Sequence, residues 1–85
     1  MYEIEFSREA RRRQKRLPRD LVDRIRAKLS QIAADPYAQH NNVTALTGST
    51  YFRLRIGDWR VIYDVQDDRL IILVIRIRPR GEAYR

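Results

Sequence analysis

The first residues of the chain alternate between apolar and polar side chains, which is the period of a β-strand with one buried face. Tyr2, Ile4 and Phe6 lie on one side, and two glutamates lie on the other. Between Leu21 and Ala33 the apolar residues instead recur every three or four positions, as in an amphipathic helix. The pattern therefore predicts a short strand and, further along, a helix with one buried face.

A basic segment between these two elements predicts a first helix. Ser7 is a suitable N-cap, and the arginine-rich residues 8–16 follow it. Pro18 interrupts this segment and favours the first turn of a second helix. Pro36 ends the second helix, because proline cannot continue one. Together the two segments predict a helical hairpin.

The second half of the chain predicts three consecutive strands. Apolar and polar residues alternate over 51–56, and the following Gly57 and Asp58 are typical of a hairpin turn. A second strand is expected over 59–66 and a third over 69–77, separated by a two-residue turn at Asp67 and Asp68.

Residues 36–49 show no clear period, and we expect them to form a loop. The predicted order is therefore β-α-α-β-β-β. Such an order is typical of an α+β fold, with the helices packed on one face of a mainly antiparallel sheet. At this length we expect a single domain over residues 1–85.

The charge of the chain adds a functional clue. The formal net charge is +7, and all the basic residues except Lys15 and Lys28 are arginine. The planar guanidinium of arginine binds phosphate through two parallel hydrogen bonds, so this surplus favours a polyanion as partner. With no cysteine and one histidine, no metal or other cofactor is expected.

The apolar runs of the chain predict no membrane partner. The longest run, 70–75, is too short to cross a bilayer, and the N-terminus lacks the pattern of a signal peptide. We therefore expect a cytoplasmic protein.

The two-residue turn at Gly57 and Asp58 predicts which residues face each other. Arg55 then lies opposite Arg60 with Arg53 on the same side, whereas Leu54 and Val61 face the helices. Like charges directly opposite each other destabilise a strand pair, so such a cluster is kept more easily where an anion binds. The arginines that follow the third strand are expected at the same edge of the sheet. They are Arg76, Arg78, Arg80 and Arg85.

Aromatic residues are interleaved with these arginines. Tyr51, Trp59 and Tyr84 offer flat rings beside guanidinium groups, a combination that suits unpaired bases. The structural alternatives are that Trp59 closes the turn and that Tyr51 packs along a sheet edge. The basic residues of the first helix are a further candidate for RNA contact, or else a solvated helix face. They include Arg11, Arg12 and Lys15.

The predicted hairpin resembles the signature of the RelE toxins in the RelE/ParE superfamily. It reads YFRLRIGDWRVIY over residues 51–63, with LTG at 46–48 before it, and IRIRPR at 75–80 and Tyr84 after it. The resemblance covers nearly the whole chain, including the helical hairpin. The run is fairly specific to the superfamily and separates its RelE and ParE branches less well.

The resemblance implies a function. RelE proteins are toxins of bacterial toxin–antitoxin pairs that cut mRNA in the ribosomal A site without a metal, using the substrate's own 2′-OH. It therefore implies a ribosome-dependent endoribonuclease whose partners are the ribosome, mRNA and a cognate antitoxin. The catalytic residues implied by position are Arg53, Arg60, Arg80 and Tyr84. Of the remaining residues on the strands, we expect RNA binding by Arg55, Tyr51 and Arg78.

Other functions fit the same residues. A ParE-like toxin that inhibits DNA gyrase without nuclease chemistry would share the fold and the basic surface. A non-catalytic nucleic-acid-binding module would show salt-sensitive affinity and no cleavage. A weakened toxin is a third alternative, because Arg53 stands where the family often has a lysine.

Overall fold

The computed structural model describes residues 1–81. This part of the chain folds as a strand, two helices and four further strands. They are β1 (Glu3–Phe6), α1 (Arg8–Gln14), α2 (Arg19–Ala34), β2 (Val43–Ala45), β3 (Tyr51–Ile56), β4 (Trp59–Gln66) and β5 (Ile71–Pro79). The predicted α+β order is confirmed with one correction. The segment 36–49, expected to be a loop, contains the short strand β2.

The strands form one sheet in the order β1-β5-β4-β3-β2. β1 runs parallel to β5, and the other neighbours are antiparallel. The parallel pair is possible because the whole helical hairpin and three strands separate β1 from β5, whereas a tight turn permits only antiparallel pairing. The sheet is thus mainly antiparallel, as predicted.

The helices attach to one face of this sheet. The Ser7 hydroxyl caps α1 by accepting a hydrogen bond from the Ala10 amide (3.1 Å) and donates to the Ile75 carbonyl (2.6 Å). The apolar side of α2 is buried, as its period predicts. The core joins these helical residues to alternate residues of the strands. Its largest fully buried members are Tyr63, Leu29, Ile32, Leu54, Ile72, Ile77, Val61 and Val74.

The two turns of the meander differ in length. Gly57 and Asp58 form the expected two-residue turn, and Gly57 has the left-handed φ of +55° that favours glycine. The expected two-residue turn at Asp67 and Asp68 is wrong. The turn spans 67–70, because Gln66 pairs with Ile71, and Leu70 adopts a φ of +54°.

A cluster of phenols and one carboxylate ties three distant segments together. The Tyr2 and Tyr37 hydroxyls each donate a 2.6 Å hydrogen bond to a different oxygen of Asp67. These bonds lower the pKa of Asp67, and the bond to Asp67 raises the pKa of Tyr37 to about 12. The cluster links the N-terminus, the segment after α2 and the turn before β5.

Within residues 1–81 no helix is long and apolar enough to span a membrane.

Candidate active site

The sheet face that points away from the helices is rich in arginine. Leu54, Val61 and Ile77 are in the core, so their sequence neighbours on β3, β4 and β5 project from the opposite face. We call this group the arginine face. Its members are Arg53, Arg55, Arg60, Arg76 and Arg78.

The strand register arranges the arginine face in two rows. Arg60 lies opposite Arg55 on one side, as predicted, and opposite Arg78 on the other. In the second row Ile62 lies between Arg53 and Arg76. Directly opposed residues have Cβ atoms about 5 Å apart, so the first row brings three positive charges close together, whereas Ile62 separates the two arginines of the second row.

A β-bulge places the β5 arginines on this face. Tyr63 pairs with Val74 but Ile62 pairs with Arg76, which leaves Ile75 as an extra residue on β5. Without this residue, Arg76 and Arg78 would project from the core face, because a one-residue slip exchanges the two faces of a strand. The expected convergence is therefore observed for Arg76 and Arg78, and it depends on the longer turn and on the bulge.

Neutral groups hold two guanidiniums of the first row. Arg60 Nη1 donates to the carbonyls of Gly57 (3.2 Å) and Trp59 (3.1 Å). Arg55 Nη2 donates to the Asn42 side-chain oxygen (3.2 Å). These partners orient the guanidiniums without cancelling their charge, so both can still attract an anion.

Glu9 supplies a carboxylate to the edge of the arginine face. Its Oε2 lies 3.0 Å from Arg78 Nη2 and 3.6 Å from Arg76 Nε. No spacing in the sequence relates the first turn of α1 to the end of β5, so the sequence did not predict this contact. Within residues 1–81 no three acidic or histidine side chains come together as metal ligands would.

Arg80 lies beside the turn that carries Arg60. Its backbone amide donates to the Asp58 carbonyl (2.6 Å), which fixes the end of β5 against the β3–β4 turn. Its side chain is exposed. Tyr84 and Arg85 lie outside the described residues.

The two described aromatic residues that are interleaved with the arginines, Trp59 and the predicted RNA-binding residue Tyr51, lie in different environments. Trp59 packs against the core, as the structural alternative expects, with the Arg13 guanidinium 5.9 Å from its ring centroid. Tyr51 is 38% exposed and borders a pocket of about 420 Å³ at the far end of the arginine face from Arg60. Tyr51 is therefore not in the arginine row of Arg60.

The basic residues of α1 are divided between two surfaces. Arg12 borders a depression of about 500 Å³ that Arg78 also lines. Arg11 and Lys15 instead border a depression beside β1 and α2. Only Arg12 of these three is thus continuous with the arginine face.

This arrangement can stabilise negative charge. Guanidiniums held by the sheet and by backbone carbonyls form a preorganised set of donors, and such donors stabilise charge that develops on a phosphate. Arginine remains protonated near neutral pH, so the arginine face offers no general base.

Comparison with known proteins places the chain among toxins. The sequence model of the family described as the ParE toxin of the type II toxin–antitoxin system parDE matches residues 4–84. The mRNA interferase toxin RelE of Escherichia coli K12 is 24% identical over 85 residues, which are 98% of this chain and 90% of that protein.

Solved structures share the fold. A chain of the intact E. coli RelBE toxin–antitoxin complex superposes with a TM-score of 0.80 at 20% identity, covering 96% of this chain and 99% of that one. The archaeal RelE–RelB complex of Pyrococcus horikoshii gives 0.80 at 26% identity, with 96% and 98% covered. The YoeB/ParE toxin of Agrobacterium tumefaciens gives 0.78 at 18% identity, with 91% and 96% covered. The family match spans nearly the whole chain and the fold agrees with it, so this protein belongs to the ParE toxin family of type II toxin–antitoxin systems, within the RelE/ParE superfamily that its hairpin resembles.

Proposed function

We propose that this toxin is an endoribonuclease that cuts mRNA in the ribosomal A site. The observation that carries the proposal is the row of Arg55, Arg60 and Arg78, in register across three strands. Opposed like charges cost stability, and a phosphate bound between them removes that cost. The similarity to the mRNA interferase toxin RelE supports RNA as the bound polyanion.

The proposed reaction is an internal transesterification. The 2′-oxygen of one ribose attacks the adjacent phosphorus, and the bond from phosphorus to the 5′-oxygen of the next nucleotide breaks. The 2′-OH loses its proton and the departing 5′-oxygen gains one. The products are a 2′,3′-cyclic phosphate and a 5′-OH, and the reaction needs no metal or other cofactor.

Each implied catalytic residue has a proposed role in this step. Arg60 binds the scissile phosphate, and Arg53 stabilises the charge that grows on its oxygens. Arg80 neutralises charge near the leaving 5′-oxygen, beside the turn to which its backbone is bonded. Tyr84 stacks on a base or holds the 2′-OH. Arg55, Arg78 and Arg12 bind flanking phosphates.

The ribosome supplies what the chain lacks. Arginine is a poor base because its pKa lies at about 12 or above. Alignment of the 2′-OH with the phosphorus lowers the barrier by itself, and a ribosome-bound message can be held in that alignment. We therefore propose that cleavage requires the translating ribosome.

The proposed protein partner is a cognate antitoxin. The E. coli and P. horikoshii structures that share the fold are toxin–antitoxin complexes. A basic toxin surface favours an antitoxin segment with acidic and apolar residues. Translated mRNA is found in the cytoplasm, so we propose a cytoplasmic location for this protein.

A second candidate function is inhibition of DNA gyrase without nuclease activity. The match to the ParE toxin family favours this second function. Both candidates use the same fold, so they differ in the target and in the need for the arginine face as a catalyst.

Primer extension on a translated message separates the two candidates. Purified toxin is added to a translation reaction, and the ends of the message are mapped by primer extension. Cuts within A-site codons that appear only with the toxin, and that leave a 2′,3′-cyclic phosphate and a 5′-OH, support the proposed endoribonuclease. An intact message together with gyrase stalled on DNA supports the ParE-like alternative.

A further inference from the structure

The arginine face ends in an apolar pocket that the proposed catalytic roles do not use. The pocket holds about 420 Å³, within the range of about 300–1,000 Å³ typical of small-molecule sites. It is lined by Leu46, Thr47, Ser49, Tyr51, Ile62, Ile75 and Arg76. We propose that this pocket binds one nucleobase of the RNA and so contributes sequence preference, an inference that rests on the proposed function.

The pocket is built from rigid parts of the structure. Ile62 is 4% exposed and forms its floor, although it lies on the face away from the main core. The bulge residue Ile75 lines the pocket, and its carbonyl accepts the Ser7 hydroxyl. The Leu46 amide donates to the Tyr51 carbonyl (2.9 Å), which closes the β2–β3 turn. The pocket is therefore formed before a ligand binds.

The position of the pocket fits a nucleotide next to the scissile phosphate. Tyr51 lies two residues before Arg53 on β3, about 6.6 Å along the strand. Ile62 lies directly opposite Arg53, and Arg76 belongs to both the arginine face and the pocket lining. A phosphate at Arg53 and Arg60 thus leaves an adjoining base within reach of the pocket.

The chemistry of the lining favours a base over an aliphatic side chain. The Tyr51 ring offers a stacking surface, and Arg76 keeps the rim cationic. The Ser49 hydroxyl oxygen accepts the Tyr51 amide (2.8 Å), so its hydrogen remains to be donated to a base nitrogen or carbonyl. A purely apolar partner would leave these polar groups unused.

A binding experiment tests the pocket without requiring cleavage. Full-length, isotopically labelled protein is titrated with RNA tetranucleotides whose riboses are 2′-O-methylated, which prevents attack by the 2′-OH. We expect amide shift changes at Leu46, Tyr51 and Ile75 that shrink when one nucleotide is made abasic. Shift changes confined to the arginine face, or no response to any tetranucleotide, overturn the proposal.

A cleavage experiment tests the preference on ribosomes. Tyr51→Ala should change the ratio of cutting rates between messages that differ at one fixed position by about tenfold or more, since stacking is lost. Thr47→Val should shift the same ratio by removing a hydroxyl, and Tyr51→Phe should retain it. Gln39→Ala, which removes an exposed side chain outside the pocket, is the control.

The outcomes separate this inference from the proposed function. If the wild-type toxin does not cut mRNA, the proposed function fails, and the titration alone decides on the pocket. If Tyr51→Ala slows cutting of every message equally, the pocket has no role in preference. Weaker antitoxin binding by Tyr51→Ala with an unchanged nucleotide preference assigns the pocket to the antitoxin and also overturns the inference.

Discussion

Individual arginines decide what the open sheet face can bind. Arg60 is flanked by Arg55 and Arg78 on the neighbouring strands and is oriented by two backbone carbonyls. Because those partners are neutral, they do not cancel the charge of the guanidinium, as the proposed binding of a phosphate by Arg60 requires. A bound anion offsets the repulsion within the row, so stability and anion binding are linked at these residues.

Replacing Arg60 tests the proposed catalytic role. Arg60→Ala should lower the rate of mRNA cutting roughly 100-fold or more, because one preorganised donor to the transition state is lost. Arg60→Ala and Arg80→Ala should each relieve the growth arrest that the toxin causes. Both variants should keep the circular dichroism spectrum of the wild type, and Arg19→Ala, an exposed arginine on α2, is the matched control. Full toxicity of both variants would show that the assignment is wrong.

Replacing Glu9 tests its effect on the arginine face. Glu9→Gln removes the carboxylate that pairs with Arg76 and Arg78. We expect tighter binding of single-stranded RNA at low salt, because the variant has one negative charge fewer beside the arginines. The free energy of unfolding should change by about 1 kcal/mol or less, because both ion pairs are still partly exposed to solvent.

Fluorescence anisotropy with a labelled oligonucleotide measures this change. Asp23→Asn removes a negative charge from an exposed position of α2 and is the matched control. Equal or weaker binding by Glu9→Gln relative to this control contradicts the prediction.

At the scale of elements, the β3–β4 hairpin positions the arginine row. Its two-residue turn sets Arg55 opposite Arg60. This turn requires the left-handed conformation that Gly57 adopts. Strong local patterns of this kind were predictable: both helices, the N-cap Ser7 and the β3–β4 register were confirmed. The short strand β2 was not, because a three-residue edge strand has too few positions to show a period.

Substitution of Gly57 tests the hairpin. Gly57→Ala should lower the free energy of unfolding by about 1–2 kcal/mol, because a Cβ is unfavourable in the left-handed region. A Cβ at this position meets little else, since the nearest atom is Arg24 Nη2 at 4.0 Å. Gly57→Asn should cost less, because asparagine tolerates this conformation. Urea unfolding measures both, and equal costs for the two variants would point to a cause other than backbone conformation.

At the scale of the whole molecule, Asp67 joins segments that are far apart in sequence. It accepts hydrogen bonds from Tyr2 and Tyr37 at the end of the sheet that carries the 67–70 turn. The cluster links the N-terminus, the segment after α2 and the 67–70 turn, and none of its members belongs to the arginine face. Its titration therefore reports on stability separately from RNA binding.

The shifted pKa values predict how stability depends on pH. The pKa of Asp67 is below its ordinary value of 3.8. Its contribution to the free energy of unfolding is therefore present above about pH 4 and is lost as the pH falls through the lowered pKa. The pKa of Tyr37 is raised to about 12, so its contribution is present below about pH 10 and is lost as the pH rises through 12.

Substitutions at two adjacent aspartates test the predicted loss of stability at low pH. Asp67→Asn should flatten the fall in the free energy of unfolding between about pH 5 and pH 2, as measured by urea unfolding. Asp68→Asn removes the adjacent exposed carboxylate and should leave the fall unchanged, because the Tyr2 and Tyr37 hydroxyls donate to Asp67. The same response from both variants would argue against the cluster.

The amino-acid sequence by itself determined the helices, the alternation of the main strands and the first hairpin register, because these follow from contacts between residues close along the chain. It also supplied the motif that identifies the family. Only the tertiary structure decided which face of β5 carries Arg76 and Arg78, because the bulge at Ile75 and the four-residue turn are set by packing against β1, α1 and β4. The Glu9 contact and the pocket beside Tyr51 have the same origin, since each joins residues that no local period relates.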